Sequence, residues 1–306
     1  MLTSLSDLVK VYGAPAIPML PIPRFGGRYW FIDNASGTNG DGKDPDFAFG
    51  SFAAGITNNN NLRTGDVVCV IGDITEQSVS TPASIKFVTV VGMGAHQRAS
   101  RWMGSNVAAS YITVNNIGWI FENLYFAGGT AGYSITFQRD ATNNASEGRV
   151  INCVLNGGSG GIQNVGGCSN MHYLGNRFIN IRGGTAADPG AIILASTAQA
   201  VPSNCEVAGN RFYNCGKMLA HGMMRSRVAY NEFQAIGNDG TATEVLNLNY
   251  ETGSRDGAGG VYNWAFMNYL GNTNANITKA NGYIGGANSQ WPNNYATDQV
   301  NTTLPT

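Results

Sequence analysis

From residue 111 onward, short apolar segments alternate with asparagines in a repeat that continues to about residue 285. Each unit has an Asn with an apolar or aromatic residue two positions later, as in ENLYF, GNRFI and YNEFQ. Consecutive units lie 21 to 37 residues apart, so the shortest intervals set the basic unit and the longer ones carry insertions. The asparagines of the repeat are Asn123, Asn152, Asn176, Asn210, Asn231 and Asn268.

The residues on either side of each asparagine predict two short strands. The residues two positions later are Tyr125, Val154, Phe178, Phe212, Phe233 and Leu270. The residues three positions earlier are Ile120, Arg149, Tyr173, Val207, Val228 and Ala265, and among these the charged Arg149 is the misfit. A further apolar run follows several units, at residues 191–194, 217–220 and 244–248, and predicts a third strand.

Three short strands cannot bury an apolar face within one unit, so each unit must stack on its neighbours, as in solenoid proteins. We therefore predict an all-β fold, a right-handed, single-stranded parallel β-helix over residues 29–290. Asn is expected at the corners because it tolerates the left-handed backbone conformation, and stacked asparagines can hydrogen-bond in a ladder. About eight coils at the parallel-strand spacing would give a rod of roughly 40 Å. A β-sandwich is the alternative, but it favours hairpin turns at intervals of about 8–12 residues.

Residues 1–28 differ from the repeat and are predicted to form a short helix followed by an arm. Ser4 and Asp7 have the spacing of a capping box, and Gly13 ends the helix. The four prolines between positions 15 and 23 favour an extended backbone after it. Two interpretations stay open: the apolar side chains pack along the chain's own body, or they dock onto a neighbouring subunit. The candidate docking residues are Leu5, Leu8, Val9, Tyr12, Ile17, Met19, Leu20 and Ile22.

The body of the chain is expected to begin with a strand at residues 29–32. A polar loop and one or two helical turns in SFAAGIT follow, then strands at residues 67–71 and in KFVTVVGMG. Residues 291–306 show no periodicity and are predicted to be an irregular C-terminal tail.

Composition excludes several classes of function. The 306 residues include 41 Gly and 35 Asn, which are poor helix formers and common in turns. Only 12% of residues are charged and the net charge is −1, so we expect no nucleic-acid partner, which would need a basic surface. No run of ~18 apolar residues occurs, so no membrane span is expected, and the N-terminus lacks the pattern of a secretory signal.

The cysteines favour a reducing compartment. They are odd in number and irregular in spacing, and none forms a CxxC pair. Buried free thiols are the expected state, with a Cys205–Cys215 disulfide as the alternative. The five are Cys69, Cys153, Cys168, Cys205 and Cys215.

The N-terminal part of the body resembles right-handed parallel β-helix proteins of the pectate-lyase-like class. The resemblance lies in the opening strand, the loop Gly40-Asp41-Gly42, the Phe residues at 47 and 49, Ala53-Ala54 in the short helix, and Gly65-Asp66-Val67-Val68. Pro45 is displaced from the Pro-Phe position of that pattern. The pattern covers about 65 residues, and the asparagine repeat extends the likeness to about residue 285. The chain is also similar to the β-helix proteins of tailed phages, both tailspikes and smaller virion proteins.

Candidate catalytic chemistry is sparse. Glycan hydrolysis needs two carboxylates about 5–9.5 Å apart, and the residues that could supply them are Glu232, Asp239, Glu244, Glu251 and Asp256. The aspartates at 41, 44 and 46 are read as turn residues, with a structural calcium ion as the alternative. The scattered Arg182, Asp188, Arg225, Arg227 and Arg255 do not form the calcium-and-arginine site of a pectate lyase, and His96, His172 and His221 are read as structural. We therefore assign no catalytic residue, cofactor or metal.

The low charge and the apolar, irregular termini favour a subunit that binds other subunits. We expect a phage virion structural protein, assembled in the host cytoplasm as a homotrimer, which decorates the capsid or forms a head spike and contacts capsid or tail proteins. The alternative is a tailspike-like protein that binds or depolymerises host glycan.

Overall fold

The computed structural model describes residues 21–36, 40–57, 61–94, 100–104, 109–127, 132–181, 190–195, 201–220, 222–234, 244–248, 261–271, 283–284 and 288–296. Of the candidate docking residues, Leu5, Leu8, Val9, Tyr12, Ile17, Met19 and Leu20 lie outside these ranges. Ile22 is described and is 85% exposed.

The described chain is built almost entirely of short strands. They are β1 (Tyr29–Ile32), β2 (Val67–Val70), β3 (Ile74–Thr75), β4 (Val79–Ser80), β5 (Thr89–Gly92), β6 (Arg101–Met103), β7 (Ile112–Val114), β8 (Ile120–Glu122), β9 (Tyr125–Ala127), β10 (Tyr133–Gln138), β11 (Arg149–Ile151), β12 (Val154–Asn156), β13 (Gly160–Val165), β14 (His172–Leu174), β15 (Arg177–Ile179), β16 (Gly190–Ala195), β17 (Glu206–Ala208), β18 (Arg211–Tyr213), β19 (Lys217–Ala220), β20 (Arg227–Ala229), β21 (Glu232–Gln234), β22 (Glu244–Asn247), β23 (Trp264–Phe266), β24 (Tyr269–Gly271), β25 (Tyr283–Ile284) and β26 (Tyr295–Ala296). Two 3₁₀ turns (Asn34–Ser36 and Pro45–Phe47) and one π-helical turn (Ala53–Thr57) lie between the first strands.

The strands stack in three parallel sheets, the arrangement of a parallel β-helix. Sheet A runs β1-β2-β5-β8-β11-β14-β17-β20-β23, sheet B runs β3-β6-β9-β12-β15-β18-β21-β24-β26, and sheet C runs β4-β7-β10-β13-β16-β19-β22-β25. The chain visits sheets A, B and C in turn, so each circuit forms one coil. Nine strands at the usual spacing make sheet A about 40 Å long, which agrees with the length expected from the repeat.

Side chains alternate between the two faces of each strand, so the middle residue of a three-residue strand points into the core. In β15, for example, Phe178 is buried while the preceding Arg177 is exposed. Phe178, Phe212 and Phe233 occupy the same position in successive coils of sheet B. Their rings stack with centroid distances of 4.8 and 4.7 Å at an angle of 7°. Because ring separation equals strand separation, the apolar core continues without a break from coil to coil.

The corner between sheets A and B differs from the sequence expectation by one residue. Asn123 and Asn152 have positive φ there, as expected of corner asparagines. In the later coils the left-handed residue is the one before the repeat asparagine: Gly175, Gly209, Tyr230 and Met267. Asn176, Asn210, Asn231 and Asn268 therefore point inwards and are at most 1% exposed.

This shift explains the misfit at Arg149. The strand register pairs Val150 with Tyr173, so the inward residue of β11 is Val150 and Arg149 faces solvent. Asn152 thus aligns with Gly175, and Cys153 occupies the position that Asn176 holds in the next coil. Once the first two units move by one residue, the position three before each inward corner residue is apolar in every coil.

The inward asparagines form a continuous hydrogen-bond ladder. The backbone N–H of Asn176 donates to Oδ1 of Asn210, that of Asn210 to Asn231, and that of Asn231 to Asn268, at 2.9 to 3.0 Å. Each side-chain N–H₂ also donates to a backbone carbonyl of the coil before; that of Asn231, for example, donates to Val207. The ladder pairs polar backbone groups that water cannot reach.

The Gly65-Asp66 pair organises the first coil. The carboxylate of Asp66 is fully buried and accepts hydrogen bonds from the backbone of Arg28, the backbone of Arg63 and the indole of Trp30, each at 2.7 Å. Gly65 has φ of +88°, and a Cβ on it would lie 2.0 Å from the carbonyl oxygen of Arg24. The residues that carry the family resemblance therefore hold the N-terminal segment against the first strands.

Sheet B continues past residue 290, the predicted end of the β-helix, into the predicted irregular tail. Asn294 accepts the backbone N–H of Asn268 at 2.9 Å and so extends the asparagine ladder by one rung. Tyr295 and Ala296 then pair with Tyr269 and Leu270 as the last described strand of sheet B.

All five cysteines are free and buried, so the Cys205–Cys215 disulfide is not formed. Burial raises the pKa of the Cys153 and Cys168 thiols to about 12 and that of Cys205 to about 11. Such thiols are protonated and unreactive in the folded protein at neutral pH.

We predict that Asn231→Ala lowers the free energy of unfolding by about 3 kcal/mol, because it leaves the buried N–H of Asn210 and carbonyl of Val207 without partners. Equilibrium urea unfolding measures the change. The control Asn34→Ala removes an exposed amide and should alter stability by no more than about 0.5 kcal/mol. Equal effects of the two substitutions would contradict a stabilising ladder.

We also predict that stability falls at alkaline pH. The folded pKa of Cys153 lies above the unfolded value of 9.0, so its contribution is complete below about pH 9 and is lost as the pH rises towards 12. By pH 10 this one thiol should lower stability by about 1 kcal/mol. Urea unfolding at pH 8 and pH 10 should show a smaller fall for Cys153→Ala than for the wild type; parallel falls would refute the assignment.

Candidate functional site

The outer face of sheet B carries a concave groove of about 330 Å³. Strands β15, β18 and β21 form its floor, and each contributes the residues that flank its buried phenylalanine. On one side of the phenylalanine stack lie Arg177, Arg211 and Glu232; on the other lie Ile179, Tyr213 and Gln234. Because parallel strands stay in register, side chains of the same row lie about 4.8 Å apart along the groove.

The groove is electrostatically asymmetric. Nε of Arg211 lies 3.1 Å from Oε2 of Glu232, and Oε1 of the same carboxylate accepts a hydrogen bond from the side chain of Gln234. Arg177 stands next to Arg211, and among the residues that the structure describes no carboxylate lies in ion-pair distance of it. One positive charge is therefore compensated and one is available to a ligand. Such an arginine can hold a carboxylate or phosphate through two parallel N–H bonds.

A second, more open hollow adjoins the groove at Glu232 and Gln234. It is lined by Tyr230, Met267 and Tyr269 in addition to those two residues and Asn231. The tyrosines are 57% and 41% exposed. The outer face of sheet B thus changes from basic to aromatic over four coils, and sugars and peptides can stack on such exposed rings.

Several other charged residues in the described ranges make contacts that stabilise a turn or sheet A. Asp41 accepts the backbone N–H of Lys43, which lowers the pKa of that carboxyl, and Asp44 caps the turn at Asp46. On sheet A, Glu206 lies 3.3 Å from His172 and 2.6 Å from Arg227. These contacts agree with the predictions that the opening loop forms a turn and that His172 is structural.

Two carboxyl groups have a raised pKa because they are partly buried. Glu76 accepts the backbone N–H groups of Phe52 at 2.5 Å and Ala53 at 2.9 Å, where it holds the start of the π-helical turn. Glu122 lies between Val91 and Ile151 on the outer face of sheet A. The two lie on different sheets, in β8 and near β3, and do not form a pair.

Of the five carboxylates predicted from the sequence, the structure describes the side chain of one. Glu232 lines the groove. Asp239, Glu251 and Asp256 lie outside the described residues, as do His96, His221, Arg182, Asp188 and Arg255, and of Glu244 only the backbone is described, in β22.

The described ranges contain neither a cluster of metal ligands nor a membrane-spanning helix. No three His, Cys, Asp or Glu side chains in them come close enough together to hold a metal ion. No helix in the same part of the chain is long and apolar enough to cross a membrane.

The pair of arginines in the groove was not predicted, although a repeated motif in the sequence indicates it. GNRF occurs twice, and both copies place Arg directly after an inward asparagine. Parallel register then requires Arg177 and Arg211 to be neighbours on the outside of sheet B.

Comparison of the chain with protein-family models, with curated proteins and with solved structures gave no match.

Proposed function

We propose that this chain is a structural subunit of a phage particle, a right-handed β-helical homotrimer that decorates the capsid or forms a head spike. The observation that carries the proposal is the unbroken parallel pairing over nine strands of sheet A, with an apolar core along it and asparagine hydrogen bonds between the coils from Asn176 onward. Such a rod keeps its shape without ligands and suits an exposed particle. Right-handedness follows from the connections between parallel strands, which have that hand in about 98% of cases.

The N-terminal segment supports docking to a particle. Ile22 and Phe25 are 85% and 75% exposed although both are apolar. By contrast, Arg24 and Arg28 are bonded to the first coil through Gly65 and Asp66. The segment is thus anchored at residues 24–28, while the apolar side chain just before the anchor is available to a partner.

We predict that deletion of residues 1–20 leaves the β-helix folded but abolishes incorporation into particles. The cut is placed before residue 24 because deletion to residue 28 would also remove the partners of Asp66. Circular dichroism checks the fold, and co-sedimentation with particles that lack the protein measures docking.

A second variant, Ile22→Ser, leaves the chain length unchanged. It should weaken docking without affecting unfolding. Normal particle binding by the deleted protein would refute the docking role. Failure of the full-length protein to bind any particle would refute the proposed location.

The second candidate function is recognition of an acidic glycan. The specific observation in its favour is the groove of sheet B, which is lined by the uncompensated Arg177 together with Tyr213 and Gln234. A linear saccharide laid along the groove would place carboxylates over Arg177 and ring faces over the tyrosines.

For this second function, we predict that a uronic-acid oligosaccharide binds more tightly than a neutral glucan, and that Arg177→Ala weakens binding roughly tenfold through loss of a charged hydrogen bond. Isothermal titration calorimetry measures both. Arg149→Ala, an exposed arginine on sheet A, is the matched control and should bind normally. If a reducing-end assay detected cleavage that Glu244→Gln abolishes, the depolymerase alternative would replace the structural function.

A further inference from the structure

The coil formed by residues 261–271 carries a surface unlike that of its neighbours. Its inward residues, Asn263, Ala265 and Asn268, continue the core and the ladders. All its outward residues from position 262 to 269 are aromatic or Met. We call this surface the aromatic belt: Tyr262, Trp264, Phe266, Met267 and Tyr269, with Tyr230 of the preceding coil packed against Phe266 at 5.6 Å.

The belt replaces polar residues of the earlier coils. In the row of Trp264, the neighbouring strands of sheet A carry Arg149, His172, Glu206 and Arg227. Trp264 is nevertheless 52% exposed, so core packing does not account for its apolar character. Exposed apolar patches of this kind mark interaction sites.

Backbone conformation gives a second, independent indication. Tyr230, Tyr262 and Met267 have φ of 57°, 59° and 52°, in the left-handed region that bulky side chains rarely adopt. The same two corners hold Gly175 and Gly209, or Asn170 and Asn204, in some coils, and Phe87, Glu147 and Arg225 in others. Tyr262 and Met267 thus place a bulky apolar side chain at both corners of one coil, and backbone strain of this kind is a feature of functional sites.

The shape and size of the belt favour a macromolecular partner. The belt runs along the outside of sheet A and around the corner into sheet B, where Tyr230, Met267 and Tyr269 line the open hollow. It therefore extends beyond the single concave site that a small ligand occupies. Its five most exposed side chains are 40% to 59% accessible. At roughly 200 Å² for each side chain they offer about 500 Å². That area matches the apolar part of an interface of about 800 Å² per partner.

Charge favours a second copy of the chain as that partner. Two of the charged groups beside the belt are paired, Arg227 with Glu206 at 2.6 Å and Arg211 with Glu232 at 3.1 Å, and Arg225 is exposed next to Tyr262. The whole chain carries a net charge of −1, so copies repel one another little. A strongly charged partner would therefore find little complementary charge on this surface.

We propose that copies of this chain associate through the aromatic belt, which brings the edge between sheets A and B of each copy to a common axis. The inference rests on the proposed homotrimer and identifies its contact surface. Residues such as Trp264 at the centre of the contact would contribute most of the affinity, as large aromatic side chains do in other interfaces.

The experiment compares the wild type with the triple variant Tyr230→Gly, Tyr262→Asn and Met267→Gly. Each substitution introduces a residue that the same corner holds in another coil, so the fold should tolerate it. The wild type should scatter light as a species three times the 32.4 kDa of one chain. The variant should associate roughly 100-fold more weakly while circular dichroism stays unchanged.

Phe87→Asn is the matched control, since Phe87 has φ of 54° at the corner that Tyr262 occupies but lies just before β5, the third strand of sheet A, remote from the belt. It should leave the mass unchanged. If the triple variant failed to fold, Trp264→Arg, which restores the residue type of Arg149 and Arg227, provides the same test.

A monomeric wild type would overturn the inference, as would a triple variant that associates like the wild type. So would a variant with normal mass that no longer binds a glycan or another virion protein. Particle docking by the N-terminal segment is measured separately, so its failure would refute the proposed location without affecting this result.

Discussion

Each coil of a parallel β-helix turns three corners, and at each corner backbone N–H groups face an interior that water does not reach. An unpaired buried amide costs about as much as a lost hydrogen bond, and here the cost would recur in every coil. The buried amides of Asn210, Asn231 and Asn268 remove it between sheets A and B. Each amide bonds the coil on either side, so the ladder helps to hold the spacing and register of the coils from Asn176 to Asn294.

The ladder leaves the outer surface free to vary. With the inward positions filled by asparagine and apolar residues, the outward positions of one coil can be changed without affecting the next. Sheet B uses this freedom for a concave, basic groove around Arg177, and the coil at residues 261–271 uses it for an exposed aromatic belt. Groove and belt adjoin at Glu232 and Tyr269. A charged groove and an apolar belt suit different partners, so one rod can present both.

The interior was largely predictable because its residues are fixed by two local requirements, apolar alternation and turn chemistry. The one-residue offset between Asn123 and Asn152 and the four later asparagines was not predicted, because asparagine satisfies two different demands: a left-handed backbone at one position and a buried amide at the next. Arg149 was the sign of the offset, since a charged residue cannot occupy a row of core positions. The arginine pair of the groove was predictable from GNRF only after the register was known.

From the sequence alone, the architecture followed: the repeat required stacked coils, and the scarcity of charge argued against a nucleic-acid surface. The tertiary structure decided which residues meet. Arg177 and Arg211 are 34 positions apart in the chain yet adjacent in space, and Tyr230 reaches Phe266 across a coil. Coil lengths vary because insertions lie between the strands, and spacing in the sequence therefore does not give spacing on the surface. Alternation along a strand determines only whether a side chain faces the core or solvent. Its neighbours on the outer surface are determined by the hydrogen-bonded register of the sheets.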